Sequence, residues 1–437
     1  MKIGFAFLVC ILSLVSFSAG LRAQEVQLTL EQTVLESIKA NPSVESARQV
    51  LEQSQMNVKA ARGYFLPSFT AEASATRFSL SGQALSTSDL DRDTTRIALR
   101  ITQPLFAGFS ILSKYSKARL QVDSDNARLA QARLELINSI QKNFLQLLKL
   151  REDRSTVDKA IKRIESQLDA SRVFYKAGLG PHNDVLKNEV ELSRTHTDKI
   201  KIQNRIKNQI IQLNTFRSAP YDEIVEYADN LSGYAFSVPF DEKTAIKSAL
   251  LKRPDLIIGY KSVEIAEKEV KTTLSQYYPK VTLDSTVSHQ KDDFENYSLS
   301  ETKQNSVTIG INLNWNLFNG GTTTYTHLAD LKHIAAIEKS LQNQIAEAKA
   351  DIIKSFTDIE DAKKLIELSI ETKKSAMENY KMAAARFKTR IGTINDLFDA
   401  QYTLTRSESD ISDAYMQYHI ARATLFYYMG VENPGLK

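Results

Sequence analysis

The sequence predicts an α+β protein in which one helix-rich unit occurs twice. Landmark residues recur at an offset of 212 positions without an insertion: Pro42 and Pro254, Pro67 and Pro279, Phe106 and Phe318, Gly180 and Gly392. Two segments, Ser110–Lys176 and Thr322–Ile391, contain neither glycine nor proline, and each could form one helix of about 100 Å. Upstream of each segment the apolar period changes from that of a helix to that of a strand. A period this long indicates a duplicated half-protein rather than a solenoid of short repeats.

The first 23 residues are typical of a secretory signal peptide. Lys2 precedes an apolar run from Phe5 to Phe17, small residues follow, and we expect cleavage after Ala23. Cys10, the only cysteine, lies within this run, so the exported chain would have no disulfide and no cysteine metal site. The rest of the chain lacks an apolar run of about 18–20 residues. Any part that spans a membrane must therefore be built from strands.

Both repeats have the same predicted order of elements: two short helices, a strand hairpin and a long helical hairpin. The boundaries are 24–218 for the first repeat, with short helices at 28–41 and 43–63, a strand hairpin at about 67–106 and a helical hairpin at about 110–217; 219–242 for a linker; 243–430 for the second repeat, with short helices at 243–252 and 255–276, a strand hairpin at about 279–318 and a helical hairpin at about 322–429; and 431–437 for a tail. Apolar residues recur every three or four positions along each long helix, which is typical of a coiled coil.

The predicted strands have one apolar and one polar face. In the last strand Val307, Ile309, Ile311, Leu313 and Trp315 alternate with threonine, glycine and asparagine. Polar loops are predicted at about 79–94 and 290–305, within the two hairpins. Two interpretations follow: a soluble periplasmic sheet, or the wall of an outer-membrane barrel with lipid on the apolar face and water on the polar face.

Aromatic residues favour the barrel. They lie at the strand ends nearest the helices, where an interfacial girdle would stand: Tyr64, Phe65, Phe106, Tyr277, Tyr278, Trp315 and Phe318. Four strands cannot close a barrel, and open strand edges in lipid would leave backbone groups without hydrogen bonds. A membrane-embedded sheet therefore requires an oligomer, which this argument leaves open as a dimer or a trimer.

The chain resembles the TolC-type outer-membrane efflux proteins over essentially its whole mature length. The resemblance rests on the duplicated layout and on two turn motifs, Ala177-Gly178-Leu179-Gly180 followed by Asp184-Val185-Leu186, and Thr393-Ile394-Asn395-Asp396-Leu397-Phe398-Asp399-Ala400. It implies a homotrimer with a twelve-stranded barrel in outer-membrane lipid, continuous with a long α-helical coiled-coil tunnel in the periplasm. It also implies two partners, a periplasmic adaptor (membrane fusion) protein and an inner-membrane transporter, in drug efflux or in type I secretion.

The turns at the ends of the long helices are the predicted docking points for the adaptor, because they lie farthest from the barrel. They comprise Gly178, Leu179, Gly180, Pro181, Arg390, Ile391, Gly392 and Thr393. Glycine is expected to supply the backbone freedom for the reversal, with Gly180 as the position most sensitive to a β-branched residue.

Asp396 and Asp399 are the predicted pore constriction. They stand one helical turn apart, which by itself fits a capping or dipole-favoured pair at a helix start. The resemblance assigns them instead to a ring of carboxylates at the periplasmic mouth, with Asp184 and Phe387 beside them. The sequence departs from the family pattern in two places: Arg390 stands where glycine is usual, with the turn glycine moved to Gly392, and Phe387 lacks the hydroxyl of a tyrosine latch.

No residue pattern indicates catalysis or nucleic-acid binding. The formal net charge of +4 over 437 residues is small, the six histidines lack metal-ligand spacing, and no glycine-rich phosphate loop occurs. We therefore expect a protein that is not an enzyme and holds no cofactor or metal. The rival to an exit duct is a structural or adhesive periplasmic coiled-coil protein with soluble sheets.

Overall fold

The computed structural model describes residues 26–80, 90–223, 225–234, 238–294 and 301–436. The predicted signal peptide, residues 1–23, lies outside the described residues, and so does the middle of each predicted hairpin loop. Among the described helices, none carries an apolar stretch that is long enough to cross a membrane.

The described residues of the first half form three strands and four helices. They are β1 (Val26–Leu28), α1 (Leu30–Ala40), α2 (Pro42–Gly63), β2 (Ser68–Leu80), β3 (Leu90–Ala107), α3 (Ser110–Lys176) and α4 (His182–Phe216). Two caps explain where the short helices begin. Thr29 and Gln32 form a capping box at the start of α1. Asn41 caps α2, whose first residue is a proline.

The second half repeats this order. Its elements are β4 (Val225–Tyr227), α5 (Glu242–Lys252), α6 (Pro254–Leu274), β5 (Lys280–Phe294), β6 (Glu301–Asn314), α7 (Thr322–Lys388) and α8 (Ile394–Tyr428), with short 3-10 helices at Leu231–Gly233 and Ser275–Tyr277. The long helices α3 and α7 both have 67 residues, and α4 and α8 both have 35. In each pair the helix of the second half begins 212 positions after the helix of the first half. The duplication is therefore preserved residue by residue in the long helices.

Four strands form one antiparallel sheet in the order β2-β3-β5-β6. The central pair joins the two halves of the chain, with Ile101 opposite Ser285. In the described part of the chain β2 and β6 have no outer neighbour. The predicted loops were too long. In the first hairpin the strands extend to Leu80 and Leu90, which pair with each other. In the second hairpin β5 extends to Phe294 and β6 begins at Glu301.

The long helices pack as two helical hairpins. α3 packs against α4, and α7 packs against α8. α3 also packs against α6 and α8 of the second half, so the halves share one interface. Ile140, Phe144 and Leu213 are fully buried in the core of the first half, and Ile352 and Leu425 in that of the second. Each such side chain contributes about 1.5–3 kcal/mol when fully buried.

The predicted linker, residues 219–242, contains structure that the sequence analysis missed. Its strand β4 pairs in parallel with β1, with Leu28 opposite Tyr227. Asp229 then accepts a hydrogen bond of 2.7 Å from the backbone N–H of Leu30 at the start of α1. Farther along, Leu231 accepts from the buried ring of His419 on α8 at 3.0 Å. The linker thus contacts β1 and the start of α1 near one end of the chain and the last part of α8 near the other.

Candidate functional site at the ends of the long helices

The turns after α3 and α7 have the same backbone. The N–H of Leu179 donates to the carbonyl of Phe174 at 2.9 Å, and the N–H of Ile391 donates to that of Arg386 at 2.9 Å. This bond characterises a Schellman turn, which needs one left-handed residue just before the donor. That residue is Gly178 (φ +71°) in the first turn and Arg390 (φ +64°) in the second. The prediction that the turn glycine moved to Gly392 is therefore wrong, because Arg390 itself adopts the left-handed conformation.

At Gly180 and Gly392 the surroundings leave little room for a side chain, whereas the backbone conformation does not need glycine. A Cβ added to Gly180 would lie 3.2 Å from the Cβ of Phe174 and 3.4 Å from Nη1 of Arg390. One added to Gly392 would lie 3.0 Å from the Cβ of Arg386. The expectation that Gly180 supplies the backbone freedom was wrong in its reason, since neither glycine has a positive φ.

Arg390 links the two turns. Its guanidinium Nη1 lies 3.9 Å from the Asp184 carboxylate in the first turn of α4, and the two side chains are 35% and 17% exposed. Its Cζ also lies 5.3 Å from the ring centroid of Phe174 at the end of α3. A non-glycine residue in the left-handed region costs about 1 kcal/mol or more, so this arginine is held there by its surroundings. Sequence reasoning named both residues but did not predict their contact.

Phe387 is the centre of a small core just behind the turns. It is 2% exposed and packs edge-to-face on Phe174 with 6.2 Å between ring centroids. Ile394 and Leu397 at the start of α8 complete this cluster. An aromatic ring without a hydroxyl suits this apolar site, and the connection toward Asp184 is made by Arg390 instead.

Asp396 lies in the first turn of α8 and Asp399 in the second, and both residues are exposed. Asp396 forms a capping box with Thr393: its carboxylate accepts from the Thr393 N–H at 3.1 Å, and its own N–H donates to the Thr393 hydroxyl at 3.2 Å. The side-chain and backbone hydrogen bonds from Thr393, and then the charge of Arg386, hold the pKa of Asp396 below its usual value. Asp396 is thus a helix cap in the single chain, and both carboxylates remain exposed.

The predicted docking residues divide into exposed tips and packed supports. Leu179 is 62% exposed and Ile391 is 76% exposed, both at the outermost point of their turns. Pro181 and Thr393, which begin the returning helices, are also exposed. Each turn therefore exposes one large apolar side chain.

The predicted aromatic residues gather at the helix-proximal end of the sheet. Tyr278 packs edge-to-face on Phe106, with 6.4 Å between ring centroids. Phe65 packs on Tyr115 of α3 in the same way at 6.1 Å. The indole N–H of Trp315 donates to the Tyr277 carbonyl at 3.1 Å. The alternation had suggested that Trp315 lies within the last strand, yet β6 ends at Asn314, and Trp315 and the 84% exposed Phe318 follow it.

The two faces of the sheet differ in polarity. On one face Val307 is 70% exposed, and its row continues through Val287 and Leu99 to Ala71. On the other face the Asp284 carboxylate accepts hydrogen bonds from three neighbours: Thr102 at 2.7 Å, Thr282 at 2.7 Å and Asn312 at 2.6 Å. A sheet that exposes an apolar face over its whole width is unusual for a water-soluble surface.

A profile described as "Outer membrane efflux protein" matches residues 34–216 and 245–431, which are the two repeats. The protein belongs to the outer membrane efflux protein family. It is an outer-membrane channel that extends into the periplasm, and it serves as an exit duct together with an adaptor and an inner-membrane transporter. A comparison of the sequence with curated proteins finds no match.

Solved structures of outer-membrane channels share the fold. The chain is similar to the outer-membrane channel OprN (TM-score 0.80, 16% identity, 92% of this chain and 90% of that one). It is also similar to VceC of Vibrio cholerae (0.77, 18%, 93% and 97%) and to the open state of MtrE of Neisseria gonorrhoeae (0.75, 17%, 93% and 89%). The predicted fold class, the family resemblance and the location of this channel are confirmed.

Proposed function

We propose that three copies of this channel assemble into a passive exit duct that supplies neither catalysis nor energy. The observation that carries the proposal is the four-stranded sheet with one apolar face, one polar face and two open edges. Lipid cannot provide hydrogen bonds to open edges, so the sheet must be completed by other copies. Three chains supply twelve strands, an even number within the range of outer-membrane barrels.

The apolar face argues against the rival structural or adhesive protein with soluble sheets. Val307, Ile309, Ile311 and Leu313 are between 64% and 71% exposed in the single chain. In water such a surface would promote aggregation, whereas in a membrane the lipid covers it. Fractionation tests the proposal: a detergent-extracted trimer from the outer membrane supports it, and a soluble periplasmic monomer contradicts it.

We assign the gate to the carboxylates at the ends of the helical hairpins. Three copies of Asp396 and Asp399 bring up to six carboxylates to one narrow mouth, where they would attract cations and repel anions. Arg390 and Asp184 would hold neighbouring hairpins together behind this ring, and Phe387 would pack beneath them. The 3.9 Å ion pair and the buried Phe387 ring support this arrangement.

We assign adaptor docking to the two exposed turns, while an inner-membrane transporter would select the substrate and supply the energy. Leu179→Ser tests docking better than Gly180→Val, because Leu179 is 62% exposed, whereas the Cβ of any side chain at Gly180 would lie only 3.2 Å from the Cβ of Phe174. We expect Leu179→Ser to reduce export and adaptor cross-linking while the trimer still forms. Leu186→Ser, at a 46% exposed site farther along α4, is the matched control. Equal effects of both variants would contradict docking at the turn.

A further inference from the structure

A cavity of about 360 Å³ lies where the helices meet the sheet. Its walls come from α3, from α6 and from the turns that join these helices to β3 and β5, all within one chain. We propose that this cavity binds the headgroup of an anionic phospholipid in the periplasmic leaflet of the outer membrane. The inference rests on the proposed function, which assigns lipid to the apolar face of the sheet.

The cavity stands at the edge of the lipid-facing surface. Phe106 lies opposite Val281, and Val281 lies opposite Leu313, so Phe106 belongs to the apolar face. Tyr278, which lines the cavity, packs edge-to-face on Phe106. Aromatic side chains in this position lie at the level of the lipid headgroups. The phosphate groups of the leaflet are therefore at the depth of the cavity.

Two lysines supply the charge that would bind a phosphate. Lys268 and Lys271 line the cavity one helical turn apart on α6, so their ammonium groups repel each other. Glu264, Glu267 and Glu269 lie on the same helix, yet within the described chain none of them forms an ion pair with either lysine. An anion between the two ammonium groups would remove their repulsion. A headgroup with a net negative charge suits the pair better than a zwitterionic one, whose own ammonium group would be repelled.

The start of α3 adds to the positive potential at the cavity. This helix begins at Ser110 with no side-chain cap and with no acidic residue in its first turn. The positive end of its dipole is therefore not neutralised by the side chains of that turn. Ser113 and Ser116, which also line the cavity, add hydroxyl groups that can donate hydrogen bonds to phosphate oxygens.

Phe109 has a backbone conformation that is costly for its residue type. It precedes α3 with φ +67°, whereas the residue 212 positions later, at the start of α7, is Gly321 with φ +82°. Glycine adopts this conformation without strain, and phenylalanine does not. The turn itself thus needs only glycine, so the ring is retained for its contacts. It packs edge-to-face on Phe106 and Tyr278, and it lines the cavity.

The apolar and charged walls are arranged as an amphiphile requires. Phe109 and Tyr278 adjoin the sheet, and Leu112, which is 52% exposed, continues their surface along α3. Lys268 lies more than one turn before the end of α6, on the side away from the sheet. The glycerol and the first acyl carbons would contact the rings while the phosphate reaches the lysines. Free phosphate would use only the charged wall.

Lipid retention by the purified trimer tests the site. The probe is phosphatidylglycerol in mixed detergent micelles, and phosphatidylcholine with the same acyl chains is the zwitterionic comparison. Native mass spectrometry counts the lipids that stay bound. We expect the unsubstituted protein to retain phosphatidylglycerol in preference to phosphatidylcholine. The Lys268→Gln, Lys271→Gln double variant should bind phosphatidylglycerol about 30-fold more weakly, because each lysine beside an anionic headgroup contributes a factor of about five.

The matched control removes two positive charges outside the cavity. Lys280 lies at the same end of the sheet but on its polar face, opposite Asn314, and Lys332 is exposed on α7. We expect the Lys280→Gln, Lys332→Gln double variant to bind phosphatidylglycerol as the unsubstituted protein does. Equal losses in the two double variants would mean that net charge attracts the lipid, and they would overturn the inference.

Phe109→Gly tests the apolar wall with all charges in place. This variant should fold, because glycine adopts the same backbone conformation at Gly321. We expect it to bind phosphatidylglycerol roughly 10-fold more weakly, since a buried aromatic contact with the lipid is lost. Unchanged binding would overturn the role of the ring, and displacement of the lipid by an equal concentration of glycerol phosphate would overturn the lipid assignment.

The unsubstituted protein separates this inference from the proposed duct. Trimers that retain no phosphatidylglycerol, or that retain both lipids equally, would overturn the site and leave the duct intact. A soluble, monomeric protein would overturn both.

Discussion

A lysine at Ile311 tests whether the apolar face of the sheet lies in lipid. Ile311 is 68% exposed on β6 and lies opposite Leu283. Trp315 follows it by about 13 Å of extended chain, at about 3.3 Å per residue. With a strand tilt of about 40°, this separation is about 10 Å of depth in an apolar band about 25 Å tall. Ile311 thus lies near the middle of the band, where lysine should destabilise the folded protein by about 2–4 kcal/mol.

The matched control is Asn312→Lys, on the opposite face of the same strand. The Asn312 amide donates to the Asp284 carboxylate at 2.6 Å, so a lysine there would meet water and a carboxylate. The measurement is the urea midpoint of folding in lipid vesicles, read from the different mobilities of folded and unfolded protein in gels without heating. We expect Asn312→Lys to change the free energy of unfolding by less than about 1 kcal/mol. Equal destabilisation by the two lysines would refute the assignment of lipid to this face.

Three further predictions concern the helical part of the channel. The Asp396→Ala, Asp399→Ala double variant should lose cation selectivity and block by multivalent cations in planar bilayers. Loss of the helix cap should destabilise each protomer by only about 1 kcal/mol. Unchanged selectivity would mean that the two aspartates only stabilise the start of the helix. Arg390→Gly should raise the conductance of the closed channel roughly 10- to 100-fold. The reason is that each protomer loses an ion pair and a ring contact that stabilise the closed state by about 0.5–1 kcal/mol. An unchanged conductance of the closed channel would rule out this role of Arg390. Burial lowers the pKa of His419 to about 4, so between that value and its usual pKa of about 6.5 the unfolded chain binds a proton that the folded protein does not. Stability should therefore fall by up to about 1.4 kcal/mol per pH unit as the pH decreases through this window, and urea titrations should show a shallower decrease for His419→Gln.

The long helices could be located from the sequence because few structures suit such segments. α3 spans the whole glycine- and proline-free segment Ser110–Lys176. The second such segment was predicted to end at Ile391, yet α7 ends at Lys388. The difference arises because Arg390 takes the left-handed conformation that normally signals glycine. Sequence patterns cannot reveal this, since the contacts that hold Arg390 come from the other helical hairpin, about 200 residues away.

The strands were harder to delimit. The ladder of β3 continues outward past Asp93 and Arg92, where both faces are polar and the alternation disappears. Backbone hydrogen bonds extend the sheet there, together with cross-strand contacts such as the Arg77–Asp93 ion pair at 3.6 Å, and neither produces an alternating side-chain pattern. The pairing of Val26–Leu28 with Val225–Tyr227 was missed for a different reason, because strands of three residues are too short to show a period.

The long helices of the two halves have equal lengths. α3 matches α7, and α4 matches α8, so the two turns stand level at the far end of the protein. Removing seven residues from one helix would draw its turn back by about 10.5 Å. A neighbouring turn would then protrude alone, and any ring of partners that seats on all of them would meet an uneven rim. Changes in the reach of such a molecule must therefore occur in matched sets, in both arms of both hairpins at once.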